Sequence, residues 1–411
     1  MTMERRVQIG SCVALNGGDA AILEGVHDAV ATAAPGARIT VTDAHPDVTP
    51  RYYPQYEWVS PPASLIGRPP RIPKLPRLSR RIWSRRADRA FRRARSGSHE
   101  LVQNLRGLDA AVQTGGTYLT PEYFHTARLF EYELLGELGV PNVFYTQSIG
   151  DFAGRPEQAR IRSALNDARL VLLRDARSRD NVERIGVDLE HVHVVGDAVF
   201  GTADDEVSFD ELARLDELDV MISVRRWPSR APIGSPEVRG FVREMARFVD
   251  RMVKDHGWTV TFRSTCQGIP EYAFDDSDVA AAVEASVNAD TRAKVSVDRS
   301  FHTPAEFREH ARGADLVIAT RMHAAIQALC VGSPVLPIAY EFKTTELFQR
   351  FGLGDQVLDI QTFTASDLAE QACSITTPGT RETFARRLTD GVRTEVRAAH
   401  RAVDLLSEVL R

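Results

Sequence analysis

The stretch from Asp315 to Lys343, DLVIATRMHAAIQALCVGSPVLPIAYEFK, constrains the fold more than any other. A β-branched apolar run stops at Thr320-Arg321-Met322-His323. A helix rich in small residues follows, and Gly-Ser-Pro leads into a second apolar run that ends at Tyr340 and Lys343. Strand, short turn, helix and strand make the βαβ unit of a parallel sheet. In such sheets ligands bind beyond the carboxyl ends of the strands, where helix N-termini also point. Arg321, His323, Tyr340 and Lys343 all fall at such ends. Two cations and a titratable imidazole on one rim suit an anionic, phosphorylated substrate.

The same alternation runs along the whole chain. With 411 residues, two domains of roughly 150–200 residues each are expected. An N-terminal α/β domain is predicted over residues 1–200, with strands at Val7–Val13, Ala37–Thr42, Leu108–Gln113, Val140–Thr146, Leu170–Leu173 and His191–Val195. Ile22, Val26 and Val30 recur every four positions and predict a helix from Asp19 to about Thr32. The polar stretch Gly201–Leu218 reads as a connection. A second α/β domain is predicted over residues 219–380, with strands at Val220–Val224, Thr259–Phe262 and Val295–Val297 before the βαβ unit. An Arg-rich C-terminal helix fills 381–411. The expected fold class is α/β, with two Rossmann-like doubly wound domains facing a cleft.

Composition excludes several classes. Hydrophobic content of 43% and charged content of 26% are those of a globular protein. No apolar run reaches the 18 or so residues of a membrane span. The N-terminus leads straight into a strand-like stretch without a signal-peptide core, and a cytoplasmic location is expected. The four cysteines, Cys12, Cys266, Cys330 and Cys373, lack metal-ligand spacing and read as buried small hydrophobes. The net charge of −5 hides an asymmetry. Between Arg68 and Arg95 lie 12 Lys or Arg and one acid, Asp88, leaving 39 basic against 55 acidic residues elsewhere, a net of −16. The whole 57–98 region breaks the α/β pattern and reads as an insertion. It is either a solvated loop or an electrostatic dock for anionic phospholipid headgroups or a diphosphate-linked acceptor. Nucleic acid is disfavoured by the acidic remainder and by the lack of a binding module.

Several strand ends carry candidate chemistry. In Ser11–Asp19, Gly17 and Gly18 permit close backbone approach, and Asn16 and Asp19 suit a turn and helix start. Asp19 is either a helix cap or, with Asn16, a binder of sugar hydroxyls or a base. Thr114-Gly115-Gly116-Thr117 is either a plain turn or a pair of exposed backbone N–H groups for an oxyanion. Gln147-Ser148-Ile149-Gly150 makes another polar strand end. Arg225 and Arg226 follow a strand with Trp227 beside them, and a tandem pair favours bidentate anion binding. Asp275, Asp276 and Asp278 read as the start of a helix rather than as metal ligands. His323, two residues beyond Arg321, reads as catalytic, because a neighbouring anion would hold its imidazole protonated. No Ser–His–Asp set, HExxH motif or Walker loop is present.

In this order the segments resemble the polysaccharide pyruvyl transferase family. The resemblance rests on Asn16–Asp19, Gly115-Gly116, Gln147–Gly150, Arg174-Asp175 with Ser178, and Ser223-Val224-Arg225. Its most specific part is Arg321-x-His323 followed by Gly332-x-Pro334 and Tyr340-x-x-Lys343. It implies a GT-B-like architecture and an enzyme that transfers the pyruvate moiety of phosphoenolpyruvate onto two hydroxyls of a glycan, forming a ketal. Phosphoenolpyruvate is then a co-substrate; no cofactor or metal is expected. The acceptor is a glycan or a lipid-linked saccharide. By this resemblance Arg225, Arg321 and His323 match donor-binding and catalytic positions, with His323 the general acid and Asp19 a base. The 57–98 insertion has no counterpart in the family pattern. Two other functions remain open on sequence: a GT-B glycosyltransferase using a nucleotide sugar, and a non-catalytic glycan- or lipid-binding relative.

Overall fold

The computed structural model describes residues 4–67, 76–94, 99–123, 125–228 and 231–411; positions 68–75 and 95 of the basic segment lie outside the described residues. The chain forms two compact units. The first takes the residues up to Ala14, Ile22–Gly201 and Arg397–Arg411; the second takes Leu15–Ala21 and Thr202–Val396. The Gly17–Ala33 helix therefore begins in the second unit, and the Thr380–Leu410 helix ends in the first.

The strands of the first unit are β1 (Arg6–Cys12), β2 (Arg38–Asp43), β3 (Glu57–Trp58), β4 (Ala110–Gln113), β5 (Gly116–Leu119), β6 (Asn142–Ile149), β7 (Leu170–Leu173) and β8 (Val192–Val194). They run parallel in the order β3-β2-β1-β4-β6-β7-β8, and β5 pairs with β6 beyond the end of β4. The second unit contains β9 (Asp219–Ser223), β10 (Thr259–Phe262), β11 (Val295–Val297), β12 (Leu316–Ala319), β13 (Val335–Ala339) and β14 (Leu358–Asp359). Its order is β11-β10-β9-β12-β13-β14, again wholly parallel. In each sheet the winding reverses beside the first strand, so the carboxyl ends of β1 and β4, and of β9 and β12, open a crevice.

Central strands covered on both faces must be apolar throughout. Val220, Met221 and Ile222 of β9 and Leu316, Val317 and Ile318 of β12 are all buried. The helix Pro236–His256 that follows β9 starts at Ser235, whose side chain accepts from Val238 N, and stops at Gly257 in the left-handed region.

The structure adds to the sequence reading in three places. The first helix begins at Gly17 rather than Asp19. The Thr114–Thr117 segment is not only a turn, because Gly116 and Thr117 open β5 against β6. In the basic segment the sequence pattern predicts a helix over Arg81–Ala94, and the structure begins it at Pro76. Two-residue strands such as β3 and β14 are too short to carry a periodicity.

Candidate active site

The site grows from the winding reversal of the second sheet. Ser223 and Ala319 are register partners at the ends of β9 and β12. Thr320 ties the two exits together: its N–H and its hydroxyl both donate to Ser223 O, at 2.8 and 3.1 Å. From these two ends the chain presents Arg225-Arg226-Trp227 and Arg321-Met322-His323 side by side. Ser264 Oγ donates to Val224 O at 2.8 Å and fixes the first exit.

Arg225 is buried, with its guanidinium carbon 3.6 Å from the Tyr340 ring centroid and 5.5 Å from that of Trp227. The two rings lie 5.3 Å apart. Stacking of this kind fixes the plane of a guanidinium and leaves its edge to bind. The Nε atoms of Arg225 and Arg226 are both buried without a hydrogen-bond partner. Such donors are costly to leave unmet, so they mark a place for an acceptor.

Arg321 behaves differently. Its Nε donates to Asp276 Oδ2, and Asp276 Oδ1 accepts from Arg226 N at 3.3 Å. Burial alone would lower the Arg321 pKa, but the Asp276 carboxylate overrides it and holds the group well above its usual value. Arg321 is a permanent cation, clamped at one edge. The three-aspartate reading needs correction here. Asp275 Oδ1 accepts from Ser277 N at 2.9 Å, and Asp278 lies in the first turn of that helix, as expected. Asp276 instead makes no side-chain cap and serves the arginines. Sequence reasoning missed this role because a helix start was already enough to account for a carboxylate there.

His323 lies in the first turn of the Met322–Leu329 helix, and its carbonyl accepts from Gln327 Nε2 at 3.1 Å. It packs directly on the start of the first helix. A Cβ on Gly18 would stand 2.8 Å from His323 Nδ1, and one on Gly17 would stand 1.9 Å from Thr265 O. The glycine pair is thus required by close approach. Asn16 Oδ1 accepts from Gly18 N at 3.0 Å and from Cys266 Sγ at 3.2 Å. Tyr272 is hydrogen-bonded to Asn16, and its phenol is pushed above the usual tyrosine range, first by burial and then by the neighbouring Cys266 and Asp19. Asp19 lies in the helix's first turn and acts electrostatically on both Cys266 and Tyr272. Tyr272 gave no sequence signal.

Lys343, in the first turn of the Phe342–Arg350 helix, is 3.2 Å from Glu341 Oε2. Asn16, Asp19, Arg225, Arg226, Arg321, His323, Tyr340 and Lys343 all belong to the second unit.

Gly115, Gly116, Gln147 and Ser148 belong to the first unit. A Cβ on Gly115 would stand 2.6 Å from Thr146 O, so that position is a close packing contact. Gly116 adopts φ +128°. Gln147 Nε2 donates to Thr114 O. Ser148 Oγ donates to Asp175 Oδ2 at 2.7 Å and accepts from Arg174 Nε at 2.8 Å, while Arg174 also pairs with Asp197. These side chains form a buried polar network around the ends of β6 and β7.

Among the described residues, Asp298, His302 and His310 are the one set of three whose donor atoms lie within 4.8 Å of one another. Arg263 Nε donates to the Asp298 carboxylate at 2.9 Å, and that fixed positive charge opposes a dication there.

Comparison with known proteins places this geometry in context. Residues 16–341 match the model of the family described as polysaccharide pyruvyl transferase. The amylovoran biosynthesis protein AmsJ of Erwinia amylovora is 25% identical over 281 residues, 64% of this chain and 64% of that protein. The chain thus spans just under two thirds of that curated relative. Among solved structures, the UDP-GlcNAc 2-epimerase of Neisseria meningitidis bound to UDP-GlcNAc superposes with a TM-score of 0.60 at 10% identity, covering 98% of this chain and 100% of that one. Anabaena HepE in complex with UDP and glucose gives 0.55 at 14% identity, covering 98% of each. At these identities the likeness establishes the fold, the two-domain GT-B architecture, as the resemblance implies.

Proposed function

The chain belongs to the polysaccharide pyruvyl transferase family, and from that premise we propose that it moves the pyruvate moiety of phosphoenolpyruvate onto two hydroxyls of a glycan precursor, releasing phosphate. One observation carries the reading. Arg225 and Arg226 hold buried, unpartnered Nε donors beside the clamped Arg321, on adjacent strand ends that also present His323. A small molecule with a carboxylate and a phosphate needs two or more fixed cations, and planar guanidinium groups suit both.

In the proposed reaction His323 gives a proton to C3 of phosphoenolpyruvate, turning the methylene into a methyl. Positive charge develops at C2, and an acceptor hydroxyl adds there, its proton passing to a base for which Asp19 is the candidate. The second hydroxyl then adds at C2 as the C2–O bond to phosphate breaks, its proton passing to the imidazole that His323 has left deprotonated, and the ketal closes. Arg225 and Arg321 stabilise the departing phosphate. A general acid in this position contributes about 10²–10⁴-fold. The acceptor is a glycan or lipid-linked saccharide of exopolysaccharide or envelope synthesis. A cytoplasmic protein held against the inner face of the membrane is part of the same proposal.

Phosphate release from phosphoenolpyruvate in the presence of candidate acceptors tests the reaction. His323→Ala should lower it by at least two orders of magnitude while leaving donor binding intact; full activity in that variant refutes the acid role. Nucleotide-sugar transfer shares only the fold with this reading. Stabilisation by UDP with no response to phosphoenolpyruvate in a thermal-shift assay would replace one with the other.

A further inference from the structure

The helix Pro76–Ala94 takes no part in the chemistry above, yet it carries the most concentrated charge of the chain. Its Trp83, Ala87 and Ala94 are buried in a core cluster with Phe130 and Leu134. Trp83 Nε1 also donates to Gly67 O at 3.0 Å, which fixes the helix in the first unit. The apolar face is therefore already used inside the protein.

The opposite face is different. Arg85, Arg86, Arg89, Arg92 and Arg93 are all exposed. At 100° per residue they fall within an arc of about 120°, spread over about 12 Å of helix. Asp88 is the one acidic residue in the segment. We propose that this arginine strip docks the protein on a bilayer face rich in anionic phospholipid headgroups, by electrostatic contact without insertion of the helix.

Three features select that partner. The strip is exposed and extended, whereas a small phosphorylated ligand needs enclosure. Guanidinium groups match phosphate oxygens in bidentate fashion and remain charged at any physiological pH. The chain outside Arg68–Arg95 carries a net −16, so an anionic surface attracts this strip and repels the acidic remainder, which sets the orientation of the bound protein. Among the described residues no helix is long and apolar enough to cross a membrane, so contact through this helix is superficial and reversible. Each arginine contributes at most about fivefold to partitioning, and the five together up to about 10³-fold. The attraction is screened beyond about 10 Å at 0.1 M salt.

The strip shares no residue with the arginine and histidine site, so docking and turnover fail separately. The test is co-sedimentation of the full chain with vesicles of phosphatidylcholine alone or mixed with phosphatidylglycerol, at low and high NaCl. The protein should partition onto the anionic vesicles only, with a loss of at least about tenfold at high salt. Changing all five residues (R85Q, R86Q, R89Q, R92Q and R93Q) should abolish binding, and R89Q with R93Q should reduce it about 25-fold. Both variants should keep the far-UV circular dichroism and the phosphate release of the parent with a soluble acceptor. Equal partitioning onto neutral vesicles, indifference to these substitutions, or binding to duplex DNA without vesicle binding would overturn the proposal.

Discussion

Gly17 and Gly18 are neighbours at the start of one helix, yet alanine at each would strike a different kind of atom. At Gly17 the new Cβ would lie 1.9 Å from Thr265 O, a backbone atom that moves only with its loop. That is about 1.5 Å inside van der Waals contact. Overpacking of this kind costs about 2–3 kcal/mol, offset by up to about 1 kcal/mol of helix propensity. The net loss of about 1–2 kcal/mol corresponds to a Tm lower by about 2–8 °C. At Gly18 the Cβ would lie 2.8 Å from His323 Nδ1 and 3.2 Å from His323 Cβ, atoms of a side chain rather than of a backbone carbonyl. Gly18→Ala should therefore lower Tm by less than Gly17→Ala does and displace the imidazole by several tenths of an ångström. Misplacement of a catalytic group on that scale costs about 10–100-fold in kcat. Scanning calorimetry and phosphate release, run on both variants, separate the two effects. Wild-type kcat in Gly18→Ala would refute the claim that His323 acts from the position seen here.

Asp276→Asn leaves the mostly buried Arg321 without its counter-charge and should cost about 3–5 kcal/mol in urea unfolding, together with most of the activity. Arg225→Lys keeps the charge but loses the planar stack on Tyr340; KM for phosphoenolpyruvate should rise about tenfold or more, with a smaller change in kcat. Glu131, in the first unit, offers a pH test. Burial pushes its carboxyl up to about 7, so the folded state holds this proton more tightly than the unfolded chain does. The stability it contributes is complete below about pH 4 and is lost as pH rises through 7. Glu131→Gln should thus be more stable than the parent by up to about 3 kcal/mol at pH 8 and equal to it near pH 4, by urea melts at each pH. A constant difference across that range would show that Glu131 keeps an ordinary pKa.

How much of this was legible in the sequence depended on whether the signal was local. The parallel sheets were readable because buried central strands such as β9 and β12 must be continuous apolar runs closed by polar strand ends. The adjacency of Arg225 and Arg321 follows from those runs only once β9 and β12 are known to be neighbours, a pairing that spans almost a hundred residues of chain. The Asp276–Arg321 clamp and the Tyr272–Asn16 contact are long-range and specific to the packing, so no spacing announces them. Ser148 shows the same limit: the sequence marks a polar strand end but not that its hydroxyl is engaged by Asp175 and Arg174. In the basic segment, charge pattern alone did not separate a solvated insertion from an electrostatic dock. The buried Trp83 decides that a helix packs there.

The last helix has a consequence for how the molecule is assembled. Ala399, Ala402, Leu406 and Leu410 are buried, and from Arg397 onward the chain completes the first unit, where Arg5 donates to Arg411 O. The first unit is therefore built from chain segments that some two hundred residues of the other unit separate, so its packing waits on a distant part of the chain. Trimming the final turns would open the N-terminal module from its C-terminal side.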